Sequence, residues 1–250
     1  MATMKLNVSR DDIEFGSNIL DIQVPDELRV RVSTGLKFVD DAYGGKGFTP
    51  SAVTLFTGTP GAGKTTMVLT MANLLTRAGH QVVFNTGEES LYQTKLVAER
   101  LQLGAGFMVG QETSTPDLLE KLDRIRQPGK QFFLFQDSLQ TLTDGKHADG
   151  GGGAAKDKRC LAMITDWCKE NYTHSLVIGQ VNKSGKMAGS NVLKHMVDAM
   201  LELSVEEKDP DLAGCRVLEM TKNRFGGCGG TFYLTLRDKG FKEVARISAF

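Results

Sequence analysis

The sequence predicts an α/β domain with a mainly parallel central sheet flanked by helices and an antiparallel C-terminal edge. Three observations lead there. Runs rich in β-branched and aromatic residues alternate with amphipathic stretches along most of the chain, the pattern of parallel strands joined by crossover helices. One such run enters a glycine-rich turn at 58–65 and a helical stretch leaves it. The last four apolar runs follow each other directly, which calls for antiparallel neighbours.

With 250 residues the chain suffices for one large domain with its own core. Residues 1–30 mix Arg10, Asp11, Asp12 and Glu14 with Ile19, Leu20, Ile22, Val24 and Pro25, and read as an arm laid over a neighbouring surface; 31–250 form the domain. Its first strand is Ala52–Phe56. A helix follows from Lys64 to about Ala78, closed by Gly79, which suits a left-handed cap. Met67, Val68, Met71, Leu74 and Leu75 make that helix apolar on more than one side, so it packs deeply against the sheet.

Gln81–Asn85 is the second strand and Leu91–Leu103 the second helix, with Leu91, Lys95, Ala98 and Leu101 on one stripe. Pro116–Arg126 is a third helix. Gln131–Gln136 is a nearly uninterrupted apolar run, as strands covered on both faces show. Four consecutive glycines, Gly150 to Gly153, predict a mobile loop between Thr143 and Lys158. A helix at about Lys158–Glu170, a strand His174–Gln180, a polar loop Val181–Ser190 and a short helix come next. Strands near Ala199–Ser204, Cys215–Thr221, Thr231–Leu236 and Phe241–Ile247 complete the edge.

Lys and Arg balance Asp and Glu at 30 each, so affinity for nucleic acid must come from local patches rather than a global field. Cys160, Cys168, Cys215 and Cys228 form no C-x-x-C pair and have no His at zinc-ligand spacing, so they read as reduced, structural thiols. There is no apolar run of membrane-spanning length, and the first ten residues lack the apolar segment of a signal peptide; a cytoplasmic protein without membrane contact is the expectation.

The chemistry is concentrated at the glycine turn. Gly58-Thr59-Pro60-Gly61-Ala62-Gly63-Lys64-Thr65, followed by Thr66, satisfies the Walker A pattern G-x4-G-K-[ST]. Between a strand and a helix, such a turn aims backbone N–H groups and a helix N-terminus at one point, a nest for the phosphates of ATP. Lys64 would reach the β- and γ-phosphates, and the Thr65 hydroxyl would coordinate Mg²⁺.

Asp137 ends the apolar strand Phe132–Phe135, the position from which a carboxylate holds that Mg²⁺; an isolated Asp there would more often cap a helix or a turn. Glu88 and Glu89 follow the second strand. One of them, by preference Glu88, would orient and deprotonate the attacking water, unless both cap the next helix.

At this point the chain resembles the RecA superfamily, and within it the bacterial RadA (Sms) branch-migration ATPases, from about Arg31 to Leu236. The fold this implies is that of a RecA-like P-loop NTPase. The matching pieces are Ser33-Thr34-Gly35 with Asp40 and Gly44-Gly45, the GTPGAGKTT turn, TGEES with Gln93 and Glu99-Arg100-Leu101, Asp137 to Leu142, Gly179 to Ser204, and Lys222-Asn223-Arg224-Phe225-Gly226. The resemblance implies that Glu88 is the catalytic glutamate and that Gln180 senses the γ-phosphate. It also implies that Lys222 and Arg224 cross to the ATP of an adjacent subunit in a hexameric ring or filament. Read from the residues alone, Lys222 and Arg224 would be solvated charges at a strand end.

Single-stranded DNA is the partner the resemblance implies, and two segments offer lysines to it. Val181–His195 carries Lys183, Lys186 and Lys194 with no acid before Asp198. Thr143–Arg159 carries Lys146, Lys156, Lys158 and Arg159, largely offset by Asp144, Asp149 and Asp157. Neither holds an aromatic on which a base could stack, so backbone tracking is the expected mode.

The zinc module and Lon-like domain of RadA proteins have no counterpart in these 250 residues, and the stretch Gly226-Gly227-Cys228-Gly229-Gly230 is unlike typical members. Two other classes compete: a KaiC-like regulatory ATPase acting through protein partners without DNA, and a small-metabolite kinase. More than fifty residues ahead of Gly58 and the lack of an Arg-rich lid disfavour the kinase.

Overall fold

The computed structural model describes residues 13–145, 153–181 and 190–248. A nine-stranded sheet runs through it in the order β3-β2-β4-β5-β1-β6-β7-β8-β9. The strands are β1 (Val53–Gly58), β2 (Gln81–Thr86), β3 (Met108–Gly110), β4 (Phe132–Asp137), β5 (His174–Ile178), β6 (Ala199–Val205), β7 (Arg216–Asn223), β8 (Thr231–Arg237) and β9 (Gly240–Ile247). Strands from β3 to β6 pair in parallel, and β6 to β9 pair antiparallel. The fold class read from the sequence is thus the observed one.

Helices cover both faces. They are α1 (Lys37–Ala42), α2 (Lys64–Arg77), α3 (Leu91–Arg100), α4 (Thr115–Ile125), α5 (Gly153–Glu170) and α6 (Ser190–Met196). Along β4, Phe133 and Phe135 enter one buried cluster with Met67, Met71 and Leu75 of α2, while Phe132 and Leu134 enter a second with Leu118 of α4 and Ile164 and Trp167 of α5. This alternation is why the strand reads as a continuous apolar run. Full burial of each such side chain is worth about 1.5–3 kcal/mol.

Helix α2 ends where Gly79 was expected to end it. Gly79 takes φ +91, its N–H donates to the Thr76 carbonyl, and the His80 N–H donates to that of Leu75, the paired bonds of a Schellman cap. Helix α3 stops at Arg100, short of the predicted Leu103, through the same device without a glycine. Gln102 adopts φ +56, and the Leu103 N–H reaches back to the Ala98 carbonyl.

Three further differences are local. Helix α1 and strand β3, of six and three residues, are too short for periodicity to mark. Helix α5 begins at Gly153, so 153–158 is helix where a loop was predicted. Asp157 and Cys160 are buried there, and packing outweighs the poor helix propensity of glycine. Residues 13–30 hold two single 3-10 turns, Ile19–Asp21 and Asp26–Leu28, with most side chains exposed and Ile22, Pro25 and Leu28 half-buried.

At the start of β5, His174 stacks on Phe48 with ring centroids 4.1 Å apart. Its Nδ1 lies 3.0 Å from the Thr49 carbonyl, which can only accept, so the proton sits on Nδ1. The buried Nε2 has no partner. Burial lowers the His174 pKa to about 4, with the Thr49 contact opposing.

Candidate active site

Because β1, β2, β4 and β5 are parallel, their C-terminal ends share one rim of the sheet, where open α/β sheets bind ligands. The glycine turn, Glu88, Glu89, Asp137 and Gln180 line a cavity of about 580 Å³ there. The glycines answer to close approach. A Cβ on Gly58 would lie 1.9 Å from the Leu203 carbonyl oxygen, and one on Gly63 would lie 2.8 Å from the Leu236 and Phe241 side chains. The β8–β9 hairpin therefore presses on the loop that starts α2.

Lys64 Nζ donates to the carbonyls of Gly58 (2.9 Å) and Thr59 (3.1 Å), so the ammonium is held inside the turn. Burial lowers its pKa, and the charges of Asp137 and Glu88 oppose that. The Thr65 hydroxyl donates to Asp137 Oδ2 at 2.7 Å. Asp137 is 4% exposed. Burial raises its carboxyl to about 7; the Thr65 bond opposes the rise, and the nearby Glu88 and Glu89 carboxylates add to it.

Glu88 faces this pair and accepts a hydrogen bond from Gln180 Nε2 on its Oε1. The Glu88 and Glu89 amides both donate to the Thr86 hydroxyl. Neither acid caps α3. That role belongs to Ser90, whose hydroxyl accepts from the Gln93 amide while the Gln93 side chain accepts from the Ser90 amide, a capping box.

The chemistry of the residues at the site would suit Mg²⁺. Among the described residues no group of three or more His, Cys, Asp and Glu forms a metal cage, but Mg²⁺ bound beside phosphates needs only one or two oxygen ligands from protein. Thr65 and Asp137 supply a hydroxyl and a carboxylate in contact. The crowding of Asp137, Glu88 and Glu89 leaves negative charge that a dication would offset.

Lys222 and Arg224 stand elsewhere. Asn223 pairs with Ala199, and Ala199 lies beside Thr54 at the beginning of β1, whereas Gly58 lies beside Leu203. Four residues of strand, about 13 Å, therefore separate the two levels. Lys222 Nζ donates to the carbonyls of Lys194 (2.6 Å) and Val197 (2.7 Å). Arg224 NH2 donates to the His195 carbonyl (3.0 Å), and NH1 pairs with Asp198 Oδ1 at 3.3 Å. Burial and Arg224 lower the Lys222 pKa, and Asp198 opposes them.

Of the lysines singled out for DNA, Lys146, Lys183 and Lys186 lie outside the described residues. Lys194 is exposed on α6. Lys156 is 16% exposed, donates to the Gln140 carbonyl at 2.6 Å and pairs with buried Asp157 at 3.5 Å, so its ammonium is engaged inside the chain. Gln140 carried no role in the sequence reading. Its Oε1 accepts the Gln180 amide N–H at 3.1 Å, joining the cavity to α5; its place three residues after Asp137 was the available signal.

No model of a known protein family matches the chain. It is 33% identical over 221 residues to the DNA repair protein RadA of Aquifex aeolicus, and 34% identical over 227 residues to that of Listeria monocytogenes, matches covering 88% and 90% of this chain. Along most of its length the chain is similar to the part of RadA that these matches cover. It spans about half the length of these RadA proteins, 48% of each. A DnaB-like replicative helicase, solved with attention to its interactions with primase, shares the fold at a TM-score of 0.74 and 15% identity, over 84% of this chain and 61% of that one. The RadA-like core contains, among the described residues, no helix long and apolar enough to cross a membrane.

Proposed function

We propose that this domain binds ATP with Mg²⁺ and hydrolyses it, and that the hydrolysis drives work on single-stranded DNA within a ring or filament of identical subunits. The observation that carries the hydrolytic part is the convergence of Lys64, the Thr65–Asp137 pair and the Glu88–Gln180 pair in one cavity. The DNA part is supported by the relatives, which are DNA repair proteins.

The chain's own groups divide the chemistry. The 58–65 turn supplies backbone N–H donors, and Lys64 a fixed positive charge, for the triphosphate. Glu88 is the base: a water on the γ-phosphate side gives its proton to the Glu88 carboxylate as its oxygen attacks the γ-phosphorus, and the bond from that phosphorus to the bridging oxygen breaks, so that ADP leaves with that oxygen and inorganic phosphate is formed. Gln180 holds that carboxylate by one oxygen and registers the γ-phosphate. Thr65 and Asp137 would hold Mg²⁺, which neutralises charge on the phosphate oxygens.

Lys222 and Arg224 stand too far from the cavity of their own chain to act in it, which supports service to the nucleotide of a neighbour. A cation supplied in trans stabilises the transition state and makes hydrolysis depend on assembly.

The test is ATP turnover with and without a single-stranded oligonucleotide at two salt concentrations. DNA should raise turnover, and binding should weaken steeply with salt. Turnover indifferent to DNA, with no salt-sensitive binding, would leave an ATPase that acts through other partners.

A further inference from the structure

Asp198 is a buried carboxylate that the hydrolytic chemistry above does not use. It is 2% exposed, and a buried charge persists only where it is paired and hydrogen-bonded. Its Oδ2 accepts the Val53 N–H at 3.1 Å, at the start of the strand that leads into the glycine turn, and its Oδ1 meets Arg224 NH1 at 3.3 Å. The backbone repeats the linkage, since the Asp198 N–H donates to the Val53 carbonyl and the Arg224 N–H to the Asp198 carbonyl, both at 2.9 Å. Arg224 NH2 is fixed by the His195 carbonyl as well.

We propose that Asp198 is the positioning residue for Arg224, holding the guanidinium in a fixed orientation so that its free N–H groups face outward to the nucleotide of the adjacent subunit. This rests on the reading of Arg224 as a residue that acts in trans. A guanidinium has five N–H donors in a rigid plane. Two of its nitrogens are engaged with Asp198 and His195, each able to donate once more, and the side chain stays 46% exposed. An aligned cation loses less freedom on meeting a phosphate than a long, unrestrained one. Accepting the Val53 N–H requires only an oxygen, which Asn also offers; the negative charge is paired with Arg224 and acts on Lys222 at longer range.

The experiment is a double-mutant cycle on the 250-residue chain with Asp198→Asn, Arg224→Ala and the double variant, reading kcat, KM for ATP and thermal melting. Asp198→Asn should lower kcat by about ten- to a hundredfold, the range for groups that orient a functional side chain, while KM stays within about twofold, because the subunit's own pocket is untouched. In the double variant the Asn change should cost nothing beyond Arg224→Ala, since a positioning residue acts only through the group it positions. Losses that multiply, or an unchanged kcat in Asp198→Asn while Arg224→Ala is inactive, would overturn the proposal and leave the trans reading intact. Full activity in Arg224→Ala would instead sink the reading on which it rests. If the Asn variant fails to fold, the cycle runs with Asp198→Glu, which keeps the charge and displaces the guanidinium by one methylene: a reduced kcat that vanishes as a separate effect in the double variant supports the proposal, and multiplying losses refute it.

Discussion

The two ends of the parallel strands carry different kinds of perturbed group. At the C-terminal ends the carboxyl of Asp137 is raised to about 7 in a pocket it shares with Glu88 and Glu89, and that pocket opens to a cavity. At the N-terminal ends His174 is lowered to about 4 by burial against Phe48 and Phe133. Like charges crowded around a void are an arrangement that a cationic ligand completes; a neutral ring in an apolar slot is packing. The N-terminal ends also hold Lys222 and Arg224, joined to the carbonyls of α6 and to Asp198. One end gathers the glycine turn, Lys64 and three carboxylates around the cavity and is the half proposed to accept nucleotide; the other presents Lys222 and Arg224 and is the half proposed to donate cations.

The largest expected effects break this division directly. Glu88→Gln removes the proposed base from the acceptor half and should lower kcat by about 10²- to 10⁴-fold while ATP still binds; single-turnover hydrolysis with a parallel nucleotide-binding titration measures both. Arg224→Ala removes a cation from the donor half and should lower kcat by about 10²- to 10³-fold, again with binding retained. Mixing the two inactive variants should restore part of the activity, at interfaces where an intact Glu88 pocket meets an intact Arg224. Mixtures no more active than their components would argue against catalysis across a subunit boundary.

These two halves were unequally legible in the sequence. The acceptor half follows from local rules: a glycine turn between strand and helix, and acids at the ends of apolar strands. The same rules left Glu88 and Glu89 undecided between catalysis and capping, which the Ser90–Gln93 box removes by satisfying the helix itself. The donor half is long-range. Arg224 and Asp198 are 26 positions apart in sequence and are brought together by the pairing of β6 with β7, which no periodicity encodes, so without the resemblance Lys222 and Arg224 read as solvated charges at a strand end. Helix α3 ends on Gln102 rather than a glycine for a related reason: tertiary context holds a non-glycine residue at positive φ, and the sequence offers no punctuation for it.

A smaller effect tests the assignment of the N-terminal ends to stability. Because the folded pKa of His174 is about 4 against an ordinary value of 6.5, the unfolded chain binds a proton in that window that the folded chain refuses. Stability from this residue is complete above pH 6.5 and is lost as pH falls toward 4, about 3 kcal/mol in all. Urea unfolding of the wild type and His174→Gln checks it: the advantage of the wild type at pH 7 should shrink by about that amount at pH 4. An advantage that does not change with pH would mean that the ring is protonated, or solvated, in the folded state.

The smallest effect concerns the lysines, and it separates exposure from charge. Lys194 and Lys156 were both offered to DNA by the same count of local charge, but Lys194 is exposed on α6, whereas Lys156 gives its ammonium to Gln140 and Asp157. A lysine contributes to the salt dependence of DNA binding only if it displaces a counterion from a phosphate. Each such contact contributes about one to the slope of log K against log salt. Lys194→Ala should therefore reduce that slope by about one for each protomer bound, while Lys156→Ala leaves it unchanged and acts instead on the Gln140 link to Gln180. A slope reduced equally by both substitutions would mean that the Lys156–Gln140 contact opens when DNA binds.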